Sequence, residues 1–256
     1  MEMTPRTIKT LTEKKHRAES GLFIVEGEKN IKELLTSDFD IEGIFGTSRF
    51  LDSILNLVND YDERMRTRIE LKEAKEDDIL RAGTFVTNAF GIAVVKQKEE
   101  VATSTILKHG AENIVLMLDD VRDPGNLGTI IRVADWYGVT HIIASPSTVD
   151  FYNPKVINAT MGSFTRISVT YSTLEDVLMT AKEQSLPVIG ALMEGVNVHE
   201  ATLPKNGILL MGSESHGINK DILHYATHPI TIPRFGKAES LNVALATGIL
   251  LDNLRR

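Results

Sequence analysis

The sequence predicts an α/β protein: a small α/β domain followed by a larger one built on a parallel sheet with helices on both faces. Three observations carry this. From Ile114 onward, short apolar runs alternate with helix-length stretches, the pattern of βαβ units whose strands are covered on both sides. Before that point, strand-like runs alternate with charged helical segments in a looser rhythm. A chain of 256 residues, 42% hydrophobic and 25% charged, suits one large domain or two small ones.

In chain order, residues 1–20 form a basic, helix-like stretch, followed by the apolar GLFIVEG (21–27) and an amphipathic stretch from Glu28 to Leu35. IEGIF (41–45) and GIAVVKQ (91–97) read as strands, and ELKEAKEDDILR (70–81) as a charged helix. Residues 1–98 are therefore assigned to a first domain. The polar, weakly periodic KQKEEVATSTILKHGAEN (96–113) places a linker at 99–110, and 111–256 form the second domain. Its buried strands are IVLML (114–118), HIIAS (141–145), ISVTY (167–171), PVIGALM (187–193), GILLMG (207–212) and HPITIP (228–233). Helices are expected near 127–137, 154–162, 173–185, 218–226 and 240–254.

Composition excludes several classes. No run of about 18 apolar residues occurs, so no membrane span is expected. The first ten residues lack an apolar signal core, and cysteine is absent, which removes disulfides, thiolate metal sites and cysteine nucleophiles. A cytoplasmic protein is expected. The seven histidines show no paired ligand spacing, so no metal site is predicted. The net charge of −7 argues against broad capture of nucleic acid. Residues 1–20 nevertheless hold five Lys/Arg (Arg6, Lys9, Lys14, Lys15, Arg17) against three Glu, +2 locally. Such a segment is either a nucleic-acid contact or a solvated helix face.

Ligands of open parallel sheets bind outside the carboxyl ends of the strands. Three of the loops there are unusually rich in Gly, Asn, Ser and charge: DDVRDPGNLGTIIRVADWYG (119–138), GSESHG (212–217) and PRFGKAESLNVA (233–244). In the first, Asn126 is suited to cap a helix that Gly138 closes. Arg132 then falls in the second helical turn, where pairing with Asp135 is the plain structural role. The pair Asp119 and Asp120 could bind magnesium, but no GxxxxGK[ST] loop accompanies it. In the second loop Gly212 could bring bare backbone against a ligand, and Glu214 beside His216 is either an acid/base pair or a capped turn. In the third, Ser240 is placed to cap the last helix. Asn242 would lie in its first turn, where an Asn requires a side-chain partner. Trp136 and Tyr137 read as packing residues, and neither GxGxxG nor GxSxG occurs.

Together NLGTIIR (126–132), MGSESHGI (211–218) and IPRFGKAESLNVALA (232–246) resemble, in residues, order and spacing, the three motifs of the SpoU/TrmH family of RNA ribose methyltransferases. KKHRAESGLFIVEGEKNIKELL (14–35) resembles the small substrate-binding domain attached to many members. The resemblance implies a SPOUT-type sheet whose carboxyl-terminal part is threaded into a trefoil knot, a rare exception to unknotted connections. It implies S-adenosylmethionine held by Gly212, Ile232 and Leu241, chiefly through backbone, and a homodimer with its site near the subunit interface. The reaction implied is metal-free methyl transfer to a ribose 2′-hydroxyl of ribosomal or transfer RNA, with Arg132 central and Asn126, Glu214, Ser240 and Asn242 in support. RNA contacts would come from Lys14, Lys15 and Arg17, with Arg6, Lys9, Arg234 and Lys237 along the same track. Members often carry a basic residue where this chain has Asn158. Two other readings stay open: a non-catalytic RNA-binding or ribosome-assembly factor on the same fold, and a small-molecule α/β enzyme. Intact motif residues favour methyl transfer over the first, and the missing nucleotide fingerprints count against the second.

Overall fold

The computed structural model describes residues 2–85, 88, 90–213 and 216–256. The chain divides into two compact units, Met1–Glu99 with Asp150–Thr165, and Glu100–Val149 with Arg166–Arg256.

The first unit carries α1 (Pro5–Thr10), α2 (Lys14–Ser20), β1 (Leu22–Glu26), α3 (Glu28–Leu35), β2 (Ile41–Gly46), α4 (Ser48–Met65), β3 (Glu70–Glu73), α5 (Glu76–Ala82) and β4 (Gly91–Lys96). The strands form a mixed sheet in the order β1-β4-β2-β3. All five residues of β1 are buried, so both faces of the sheet are covered. Leu22 and Ile24 join Met3, Ile8, Leu11, Ile79 and Ile92 in one core. Phe23 lies against Phe39 and, from the segment 150–165, Tyr152 and Phe164, with ring centroids 5.8, 4.5 and 6.3 Å away. The expected basic helix at the amino terminus is two helices. Thr4 caps the first through Thr7, and Gly21, at φ 66°, closes the second in the left-handed conformation glycine adopts without strain. The expected helix over 70–81 is also divided: 70–73 form an edge strand parallel to β2, and only 76–82 are helical.

The second unit opens with α6 (Thr103–Gly110), which occupies the predicted linker. Ile106 and Leu107 anchor it in the core, so tertiary burial makes a helix where periodicity is weak. Next come β5 (Ile114–Leu118), α7 (Pro124–Trp136) and β6 (His141–Ala144). The chain then supplies α8 (Pro154–Ala159) and the 3-10 turn Ser163–Thr165 to the first unit. It resumes with β7 (Ser168–Tyr171), α9 (Leu174–Glu183), β8 (Val188–Asn197), β9 (Gly207–Met211), α10 (Lys220–Leu223), β10 (His228–Thr231) and α11 (Val243–Arg255).

The six strands form one sheet in the order β10-β8-β9-β5-β6-β7, with every pairing parallel. Val115 and Met117 face a core with α6 and α9, while Leu127, Ile130, Ile131, Leu250 and Leu251 of α7 and α11 are fully buried too. From β5 the chain runs outward through β6 and β7, then returns so that β9 pairs with β5 on its other side. The strand order thus reverses at β5/β9, and such a reversal opens a crevice at the strands' carboxyl ends.

Candidate active site

The loops after β5 and β9 are joined at that reversal. Asn219 donates its backbone N–H to Asp119 Oδ2 at 2.7 Å. Asp119 is 9% exposed, and the pKa of its carboxyl is raised, burial being the main cause, against which the Asn219 N–H bond acts and to which Asp120 adds. Asp120, at φ 60°, is held by Arg122 Nε at 2.7 Å, and its own N–H donates to Ser145 Oγ at 2.9 Å. Its pKa is lowered, first by the Arg122 hydrogen bond. One carboxylate of the predicted pair is a strut between loops and the other is neutralised by arginine.

The second loop closes on itself. Ser213 and Gly217 exchange two backbone hydrogen bonds of 3.0 Å each. A Cβ on Gly212 would stand 2.1 Å from the Gly217 carbonyl carbon and 2.2 Å from the Ile218 nitrogen. Glycine is therefore required at 212 by the loop's own backbone, whatever ligand that backbone also meets. Glu214 lies outside the described residues, so its pairing with His216 is not described either.

The third loop meets the first. Asn242 is the N-cap of α11: its Oδ1 accepts from Ala244 N at 3.0 Å and Leu245 N at 3.3 Å, and its Nδ2 donates to Asn126 Oδ1 at 2.9 Å. The cap is thus Asn242 rather than Ser240, which is exposed outside the helix. One amide spends its oxygen on two orphan helical N–H groups and its nitrogen on a neighbouring loop. Asn126 is not a cap either. Asp123 holds that position, accepting from Asn126 N at 2.8 Å with Pro124 next in the helix. Asp-Pro ahead of an apolar helix is the sequence signal that would have placed it.

Arg132 accordingly sits in the third turn of α7, exposed. Asp135 does not neutralise it, because Arg166 engages that carboxylate through Nη2 at 2.9 Å and Nε at 3.0 Å. At 100° per residue, Arg132 is turned about 240° from Asn126 around the helix. It shares an exposed stripe with Thr129 and with Trp136, which is 84% exposed. Trp136 is thus a surface residue of this chain, not core. Ile232 is half-buried and Leu241 is 46% exposed.

In the first unit Lys14 and Lys15 are exposed. Arg17 is not: it is 2% exposed, donates to Asp150 Oδ2 through Nε at 3.1 Å and Nη2 at 2.5 Å, and through Nη1 to the carbonyls of Leu11 at 3.0 Å and Thr12 at 2.9 Å. Its guanidinium closes the carbonyl end of α1 and is withdrawn from any RNA track. Asn158 accepts at 3.1 Å from Asn30 Nδ2.

An all-parallel sheet with three polar loops cross-tied at or beside its reversal places a candidate ligand site at the carboxyl ends of the strands. Residues 113–252 match the model described as the SpoU rRNA Methylase family, and residues 5–80 match the MRM3-like substrate binding domain. The chain belongs to the SpoU rRNA methylase family. It is similar to the 23S rRNA (guanosine(2553)-2'-O)-methyltransferase RlmP of Bacillus subtilis (strain 168), 32% identical over 248 residues that cover 96% of this chain and 94% of that one. Among solved structures it is similar to a TrmH-family chain from Porphyromonas gingivalis, with a TM-score of 0.80 and 33% identity over 98% of this chain and 96% of that one. It is also similar to an AdoMet-bound rRNA methyltransferase from Sinorhizobium meliloti, with a TM-score of 0.82 and 30% identity over 98% and 93%.

Proposed function

We propose that this chain transfers the methyl group of S-adenosylmethionine to the 2′-hydroxyl of a nucleotide in ribosomal RNA. The observation that carries the reading is the cross-tying of the three motif loops, Asp119 to Asn219 and Asn126 to Asn242. It occurs in a chain that aligns nearly end to end with a ribosomal RNA 2'-O-methyltransferase. The donor fits the residues present. Among the described residues, Ile232 and Leu241 form no backbone-to-backbone hydrogen bond, so their N–H and C=O groups are available to a polar ligand. Gly212, Ile232 and Leu241 would hold it. Bound there, the sulfonium supplies an electrophilic methyl group.

The remaining work falls to side chains. Arg132 anchors an RNA phosphate and stabilises the developing alkoxide. The hydroxyl proton passes to solvent rather than to Arg132, because guanidinium stays protonated far above neutral pH, and the donor leaves as the neutral thioether S-adenosylhomocysteine. Asn126 and Asn242 fix the first and third loops relative to each other, Ser240 adds an exposed hydroxyl to the third loop, and the family resemblance gives Glu214 a supporting role. Lys14 and Lys15, with Arg6 and Lys9, contribute RNA contacts from the first unit, and Arg234 and Lys237 contribute them from the second. A homodimer accounts for the bare stripe of α7 and for Leu245, 62% exposed on α11. It would put Arg132 beside a partner's loops and leave the site near the interface. We further infer the trefoil knot of the family and a cytoplasmic location, which suits a ribosomal RNA substrate.

Calorimetry with S-adenosylmethionine and mapping of 2′-O-methyl positions in total RNA, with and without this chain, test the reading. Donor binding and loss of a single ribosomal position are expected. Absence of donor binding, or an unchanged methylation map, overturns it. Arg132→Lys should lose most activity, and a variant restored by lysine would remove the specific guanidinium role.

A further inference from the structure

The third loop carries a feature that its ties to the rest of the unit do not use. Phe235 is 95% exposed. It stands between Arg234 and the Gly236-Lys237 pair, all of them exposed. Arg234 Nη1 donates to the carbonyl of Ala238 at 3.3 Å, so the residues around the ring are braced as a turn rather than trailing free. Phe235 lies five positions before Ser240 and seven before Asn242, so the ring is carried on the segment that ends at the proposed site. Its loop neighbours are charged or small, so the ring has cations rather than apolar side chains beside it in the chain.

We propose that Phe235 stacks on an unpaired nucleobase of the RNA beside the methylated sugar, with Arg234 and Lys237 on the flanking phosphates. The assignment rests on the ribose methyltransferase reading and adds to it the substrate residue and the state of the substrate: a single-stranded or unstacked nucleotide, not a base inside a duplex. The chemistry matches. A ring face accepts any base, cations on either side neutralise the backbone, and RNA readers take unpaired bases on aromatic platforms in this way. Glu239 lies in the same loop and is exposed. It keeps phosphate from settling at the loop's carboxyl-side end and favours contact around residues 234–237.

A short single-stranded oligoribonucleotide with one central 2-aminopurine, added to the full-length protein at low salt, tests this without any methyl transfer. Wild type and Phe235→Trp should quench the probe. Phe235→Leu should not, and its Kd for the oligonucleotide should rise about 5- to 150-fold, the range of one lost base stack. Since the side chain is bare, Phe235→Leu should keep its far-UV spectrum, its oligomeric state and its affinity for S-adenosylmethionine. Equal quenching and affinity in the leucine variant overturn the proposal. So does a fall in donor affinity, which would make the ring a cofactor cover, or a change in oligomeric state, which would make it a subunit contact. A wild type that quenches the probe but methylates no RNA would refute the reaction and leave the stack standing; the reverse result would refute the stack alone.

Discussion

Replacing Arg17 with alanine separates a structural cation from an RNA-binding one. In the folded chain its guanidinium makes four hydrogen bonds, two to Asp150 and two to carbonyls at the end of α1. Removing one partner of a buried ion pair costs about 3–5 kcal/mol. The Asp150 side chain keeps 18% exposure, so water recovers part of that, and the cost should fall near 3 kcal/mol. For a unit of this size that lowers the first unit's melting midpoint by roughly 10 °C. Thermal and urea unfolding followed by far-UV circular dichroism would read the loss, with hydrogen exchange reporting the amides after Leu11. Binding of ribosomal RNA, measured between 50 and 200 mM salt, supplies the contrast. Arg17→Ala should leave the salt slope of the folded protein unchanged, whereas Lys14→Ala and Lys15→Ala should each flatten it by about 0.7–0.9 and leave stability within about 0.5 kcal/mol. An Arg17→Ala protein with wild-type stability and a flattened slope would refute the reasoning and return Arg17 to the RNA surface.

Two further expectations come from the loop ties. Gly212→Ala puts a Cβ 2.1 Å from backbone, more than an ångström inside ordinary contact, so the second loop must reshape and calorimetry should show S-adenosylmethionine affinity down roughly 10-fold or more. Gly217→Ala has open space around its Cβ and only a left-handed φ of 68° to resist, so it should lose less, and equal donor binding by Gly212→Ala would contradict the crowding. Asp119 has a folded pKa above its ordinary value of 3.8, so its ionisation weakens the fold as pH rises from about 4 through the folded pKa, the reverse of a salt-bridged aspartate. Asp119→Asn keeps an acceptor for the Asn219 N–H and should remove that decline in urea titrations run from pH 4 to 7. Asp119→Ala orphans the donor and should cost about 1–3 kcal/mol; an unchanged pH profile in Asp119→Asn would dismiss the buried charge as its source.

The sheet of the second unit was legible because fully buried parallel strands are written as unbroken apolar runs. IVLML and GILLM are buried at every residue. The edge strand β3 was not, since ELKE is half solvated and its alternation of Leu and Lys fits a charged helix equally well. Helix α6 was missed because only Ile106 and Leu107 mark its buried side, too few to set a period. At the candidate site, clusters of Gly, Asn and Ser after apolar runs marked three loops, which the structure ties at Asp119–Asn219 and Asn126–Asn242. What holds those loops together was invisible: Asp119 and Asn219 are 100 positions apart, and no local pattern encodes their meeting. Charge type was likewise a poor guide to exposure. Arg17 sits three residues from Lys14 in one basic run, yet only the fold decides that it turns inward toward Asp150.

The insertion of Asp150–Thr165 into the first unit has a consequence for how this polypeptide is made. The ribosome releases Glu99 long before it releases Thr165, 66 residues later (165 − 99). At about 5–20 residues per second the wait is roughly 3–13 s. During that interval the nascent amino-terminal half lacks the aromatic plug of Tyr152 and Phe164 and the counter-ion of Arg17. Gene fusion or deletion at residue 99 would make that transient shortage permanent, so the two halves of this gene are not freely exchangeable modules.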